Sequence, residues 1–70
     1  MESSARNQLA GTVESVTLGA VMAEVVVDVN GAKIVAAITK DSAERLGLTQ
    51  GKDVVAIIKA TDVMIGIAPV

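Results

Sequence analysis

The chain has 70 residues, 51% of them hydrophobic, with six basic and eight acidic side chains, a net charge of −2, and no Cys, His, Phe, Trp or Tyr. That length makes a single domain, residues 1–70, and the missing residue types remove disulfide stapling, thiolate and imidazole metal sites, and Ser-His or Cys-His catalysis. With neither a basic stripe nor aromatic stacking platforms, nucleic-acid binding is not expected.

A core without rings must be built from Val, Ile, Leu, Ala and Met, each of which buries less than an aromatic side chain. A short chain of this hydrophobicity is expected to bury apolar surface between subunits as well as inside each one, with oligomerisation as its staple. Glu24, Asp28, Lys33 and Lys40 interrupt the most apolar region, so no membrane span is expected, and the first residues have no apolar signal-peptide core. The expected location is the cytoplasm.

Leu9–Leu18 (LAGTVESVTL) mixes β-branched and small polar residues and predicts a first strand, with Gly11 marking a bulge or a close backbone approach. Gly19-Ala20 supplies a turn. Met22–Val29 (MAEVVVDV) alternates about Glu24 and Asp28, which predicts a strand with one face better buried than the other. Asn30-Gly31 follows, the strong signal for a two-residue type I′ hairpin. Lys33–Thr39 (KIVAAIT) is the returning strand, apolar on both faces.

The period then changes. Asp41-Ser42-Ala43-Glu44 matches a capping box, with Asp41 as N-cap and Glu44 three residues on, and Gly47 predicts the helix end. Leu48 is expected to dock on the core. After a turn at Gln50-Gly51, Asp53–Lys59 (DVVAIIK) and Val63–Ile67 (VMIGI) predict a fourth and a fifth strand. The expected fold is therefore all-β: a small five-stranded OB-like Greek-key barrel with one short helix between strands 3 and 4.

Catalysis finds no footing. General acids or bases are limited to carboxylates and lysines, and these lie singly at turns and on strand faces. Glu14, Glu24 and Asp28 are the best candidates for a hard-cation cluster, but they lack the oxygen-rich loop of a calcium site and are expected to be solvated strand-face residues. The chain is not expected to be an enzyme. A different set stands out: Ser4, Arg6, Asn7, Gln8, Thr39, Ser42, Lys59 and Thr61 are donors or cations placed near the ends of elements, where binding groups gather. Thr39 and Ser42 serve either the helix cap or an anion. Arg6 and Lys59 are either solvated charges or its counter-charges.

The segments SARNQLAGTV (4–13), ITKDSAERLGLTQGKDV (38–54) and AIIKATDVMIGI (56–67) resemble, in order and spacing, the molbindins. These are the small Mop proteins, whose domain also occurs in molybdate-responsive regulators and molybdate-transporter ATPase subunits. The resemblance covers nearly the whole chain as a single Mop unit. It implies an OB-like barrel assembled as a homo-hexamer, a trimer of dimers, binding molybdate or tungstate through the oxyanion's oxygens at subunit interfaces. The main site would take Ser4, Ala5 and Arg6 from one subunit and Thr39, Ser42, Lys59 and Ala60 from a neighbour, with Ala5 and Ala60 acting through backbone N–H. Gly19, Ala20 and Val21 are the candidates for a second site near the three-fold axis. The implied role is intracellular molybdenum storage and homeostasis. The alternative is a structural oligomerisation module with incidental anion binding.

Overall fold

The computed structural model describes residues 2–69. Four strands, β1 (Asn7–Leu18), β2 (Met22–Val29), β3 (Ala32–Thr39) and β4 (Asp53–Ile58), form one antiparallel sheet in the order β3-β2-β1-β4. Three strands joined consecutively, with a fourth returning beside the first, is Greek-key order. A helix, α1 (Lys40–Arg45), lies between β3 and β4 as expected, and a 3₁₀ turn, Ala60–Asp62, follows β4.

β1 serves two neighbours in succession. Its first half runs against β4, from Asn7 opposite Ile58 to Thr12 opposite Asp53, and its second half runs against β2, from Thr12 opposite Asp28 to Leu18 opposite Ala23. Thr12 is shared. The ladder with β2 shifts register between Val13 and Ser15, leaving Glu14 as the extra residue of a bulge, which bends a strand and increases its twist. Gly11 therefore marks the close approach and not the bulge. A Cβ there would lie 2.5 Å from the Asp28 carbonyl oxygen and under 3 Å from methyls of Val27 and Val29.

The alternation of β2 turns Ala23, Val25 and Val27 inward, where Val25 and Val27 meet Val13 of β1, itself 1% exposed. Ile34, Ala36 and Ile38 of β3, Val54 of β4 and Leu48 pack around them, so Leu48 docks as its position after Gly47 predicts. The opposite faces stay apolar and open: Val35, Val55 and Ile57 are exposed.

The β2–β3 hairpin has the expected two-residue loop, with Asn30 at φ 50° and Gly31 at φ 91°, and Asp28 accepting the Gly31 N–H at 2.8 Å. Lys33 beside it donates to the Glu14 carboxylate and lies 3.6 Å from Asp28. These carboxylates are thus solvated and paired with a lysine, and the described residues contain no group suited to a metal ion.

Two expectations are corrected. The helix is capped by Thr39 and not Asp41: the Thr39 hydroxyl, at the extended end of β3, accepts the Ser42 N–H at 3.1 Å, which starts the helix earlier and leaves Asp41 in the first turn. Its far end closes as predicted, with Gly47 at φ 63° and its N–H on the Glu44 carbonyl, and the Lys52 ammonium adds a bond to the Leu46 carbonyl at 2.5 Å. The second correction is Val63–Ile67, which forms no strand. The 3₁₀ turn carries the chain off the sheet after β4, no ladder forms, and Met64, Ile65 and Ile67 are 92%, 89% and 96% exposed. The sheet therefore has four strands.

Gly11→Ala should lower unfolding stability by on the order of 2–3 kcal/mol, because backbone, not a flexible side chain, blocks the added methyl; chemical denaturation would detect this. The pKa of Lys33 is raised above 10.5, first by its hydrogen bond to Glu14. That contribution is present below pH 10.5 and lost as pH climbs through the raised value. Lys33→Met should accordingly leave the melting temperature nearly unchanged at pH 7, the pair being exposed, and flatten its decline above pH 10.5.

Candidate oxyanion site

The rung between Asn7 and Ile58 is the last of the β1–β4 ladder at that end of the sheet. The residues just before Asn7 and just after Ile58 therefore emerge side by side. Ser4, Ala5, Arg6, Ile57, Lys59 and Ala60 line one hollow of about 500 Å³ there. Five of the seven main-site residues named from the sequence meet in it. Ile57, which sequence reasoning left out, contributes an outward-facing apolar wall, and its place in the alternation of β4 was the available signal.

Thr39 and Ser42 are not in this hollow. Thr39 ends β3 opposite Met22, beyond the Leu18 end of β1, so most of the length of β1 separates them from Arg6 and Lys59. At about 3.3 Å per residue, that is a strand path of roughly 35 Å. The expected main site drew Thr39, Ser42, Lys59 and Ala60 together from a neighbouring subunit. Within one chain Lys59 and Ala60 stand with Ser4, Ala5 and Arg6, because β4 pairs with the start of β1, while Thr39 and Ser42 stand apart. Those two are joined to each other, hydroxyl to hydroxyl at 2.8 Å. Beside them lies the Gly19-Ala20-Val21 loop, whose Val21 carbonyl accepts the Lys40 N–H at 2.7 Å.

The hollow is chemically one-sided. The polar side chains among its lining residues are a hydroxyl, a guanidinium and an ammonium, with no carboxylate. Among the described residues neither Arg6 nor Lys59 forms an ion pair. Ala5 donates its N–H to the Ser3 hydroxyl at 3.1 Å, and the Gln8 side-chain amide donates to the Ala5 carbonyl at 2.6 Å. A second hollow, between the second half of β1 and α1, is lined by Glu14 and Glu44 among others and is unsuited to an anion. A third is the apolar space between β2, β3 and β4, lined by Val and Ile.

Fold and hollow together define a small OB-like domain that gathers hydrogen-bond donors and two cations at one end of its sheet. The TOBE domain family matches residues 3–65. The chain belongs to that family, as one of its small molybdenum-pterin-binding, or Mop, members. It is 50% identical over 66 residues to molybdenum-pterin-binding protein 3 of Clostridium pasteurianum, covering 93% of this chain and 97% of that protein. The structure of a molybdate-binding protein from Sporomusa ovata superposes with a TM-score of 0.88 at 45% identity, covering 93% of this chain and 97% of that one. A molybdate-bound structure of the cytoplasmic molybdate-binding protein ModG matches with a TM-score of 0.89 at 40% identity, covering 97% of this chain and 49% of that one. No helix among the described residues is long and apolar enough to cross a membrane.

If the hollow holds an anion, Arg6→Ala and Lys59→Ala should each weaken molybdate binding at least about tenfold, a charge-assisted hydrogen bond contributing about 1.5–3 kcal/mol. Titration calorimetry measures this, and circular dichroism should show the sheet unchanged. Glu44→Gln, in the second hollow, should leave the affinity as it is.

Proposed function

We propose that the chain is a non-enzymatic binder of molybdate, and of tungstate equally well, which stores and buffers molybdenum in the cytoplasm as a homo-hexamer, a trimer of dimers. The observation that carries this is the hollow of Ser4, Ala5, Arg6, Lys59 and Ala60, whose two cations form no ion pair among the described residues, in a chain of the Mop group. The relatives' names speak of molybdenum-pterin and molybdate, and ModG is described as cytoplasmic.

The chemistry supplies the selectivity. Molybdate is a tetrahedral dianion without a proton at neutral pH, so a pocket of donors satisfies all its oxygens. Monohydrogen phosphate would leave its own O–H without an acceptor, at a cost of roughly 1–3 kcal/mol when buried. Sulfate carries no proton either, but it is smaller, and only the size of the closed pocket rejects it. Tungstate matches molybdate in size and charge.

A hollow of about 500 Å³ is several times larger than such an anion, so one chain leaves it open on a side. We take Thr39 and Ser42 of a neighbouring subunit to close it. The assembly reading is supported by the exposed apolar residues Val35, Val55, Ile57, Met64, Ile65 and Ile67, too many for a 70-residue chain to leave in water. Gly19, Ala20 and Val21 beside α1 remain our candidates for a second class of site. A purely structural oligomerisation module would show the same apolar faces, so ligand content has to separate the two readings.

Native mass spectrometry with elemental analysis after growth in excess molybdate should give a hexamer containing molybdenum. A metal-free hexamer would favour the structural module, and co-purifying pterin would make the ligand a molybdenum-pterin compound. Calorimetry at matched ionic strength should rank molybdate and tungstate together, well above sulfate and phosphate. Equal binding of all four would remove the specific site.

A further inference from the structure

The leading segment of the site, Ser3 to Arg6, precedes the first rung of the sheet, and something has to hold it. Among the described residues it takes part in two hydrogen bonds that involve a side chain: Ala5 N–H to the Ser3 hydroxyl, within the segment, and the Gln8 amide to the Ala5 carbonyl. Only the second reaches the sheet. Gln8 is the second residue of β1, its backbone opposite Ile57 in the ladder with β4, and its side chain reaches back three residues from that fixed base. The atom 2.6 Å from a carbonyl oxygen must be the amide nitrogen, because the amide oxygen would be repelled there.

We propose that Gln8 is a positioning residue of the anion site, acting through the Ala5–Arg6 peptide; this rests on the molybdate reading above. A trans peptide points its C=O and N–H in opposite directions. Holding the Ala5 carbonyl against Gln8 therefore sets the direction of the Arg6 N–H. It also commits the carbonyl oxygen of that peptide, which a dianion would repel, to a donor. Gln8 thus acts before binding: it removes the ordering cost of a segment that would otherwise sample carbonyl-inward orientations. Its length suits the task, since Asn falls one methylene short and Glu offers no donor at neutral pH.

The test compares wild type, Gln8→Met and Arg6→Ala by molybdate calorimetry, with native mass and unfolding midpoint measured alongside. Gln8→Met keeps the chain length and removes the donor; affinity should fall about three- to tenfold, the worth of one net hydrogen bond, with mass and midpoint unchanged. In ¹⁵N spectra of that variant, the Ala5 and Arg6 amide signals should broaden while those of the sheet stay in place, which a general loss of stability would not produce. If Arg6→Ala loses binding and Gln8→Met does not, the positioning role is wrong and the site stands. If Arg6→Ala binds as wild type, the site reading fails and this role with it. Wild type supplies an independent measurement should the variant fail to fold. The Gln8 side-chain NH₂ should exchange slowly with and without molybdate, while the Ala5 and Arg6 N–H signals shift on binding. Solvent-rate exchange of that NH₂ in both states overturns the proposal.

Discussion

Everything in this domain follows from the way β1 is divided between two partners. Its first half pairs with β4 and its second half with β2, with Thr12 on both ladders and the Glu14 bulge just beyond. One strand thereby holds β2 and β4 directly, with β3 carried on β2, and the sheet coils enough for Val13, Val25 and Val27 to meet without a single aromatic ring. The backbone of β2 passes so close to β1 at Gly11 that no side chain fits between them. The same division sends the two ends of β1 to two different neighbourhoods, Ser4–Arg6 with Lys59 at one and the α1 cap at the other.

That separation gives the polar chemistry its form. Among the described residues Glu14, Asp28 and Glu44 pair with Lys33 and Lys40, while Arg6 and Lys59, at one end of the sheet, form no ion pair. The donors there come from three sources with different rigidity: a ladder end at Lys59, backbone N–H groups, and a leading segment tethered through Gln8. In the proposed function such a site would bind an anion by donating to its oxygens, which favours a species with no proton of its own.

Apolar surface is the remaining constraint. The inner residues of β2, β3 and β4 exhaust what one small barrel can bury, and their outward neighbours are apolar as well. The stretch after the 3₁₀ turn adds Met64, Ile65 and Ile67, all extended into solvent with no ladder. In the proposed hexamer these faces and the open side of the anion hollow are covered together, so assembly and ligand binding would draw on the same surfaces.

Local chemistry was legible in the residues themselves. Strand alternation, the Asn30-Gly31 turn and the helix between β3 and β4 depend on side-chain type and short-range spacing, and each is found where those features put it; the donor character of Ser4, Arg6, Thr39, Ser42 and Lys59 is likewise a matter of side-chain type. The misplaced details are ones where spacing alone is ambiguous. Asp41 and Thr39 both suit an N-cap, and only the end of β3 decides which hydroxyl or carboxylate faces the open Ser42 N–H. VMIGI has strand composition, but a strand exists only where a neighbour offers its backbone, and the turn at Ala60–Asp62 removes that neighbour. Likewise, which donors share a hollow depends on the β1–β4 register, a pairing between residues some fifty positions apart that no local pattern encodes. The kinds of groups available are written in the residues; which of them stand together is set by the β1–β4 pairing, because long-range register is a property of the whole sheet.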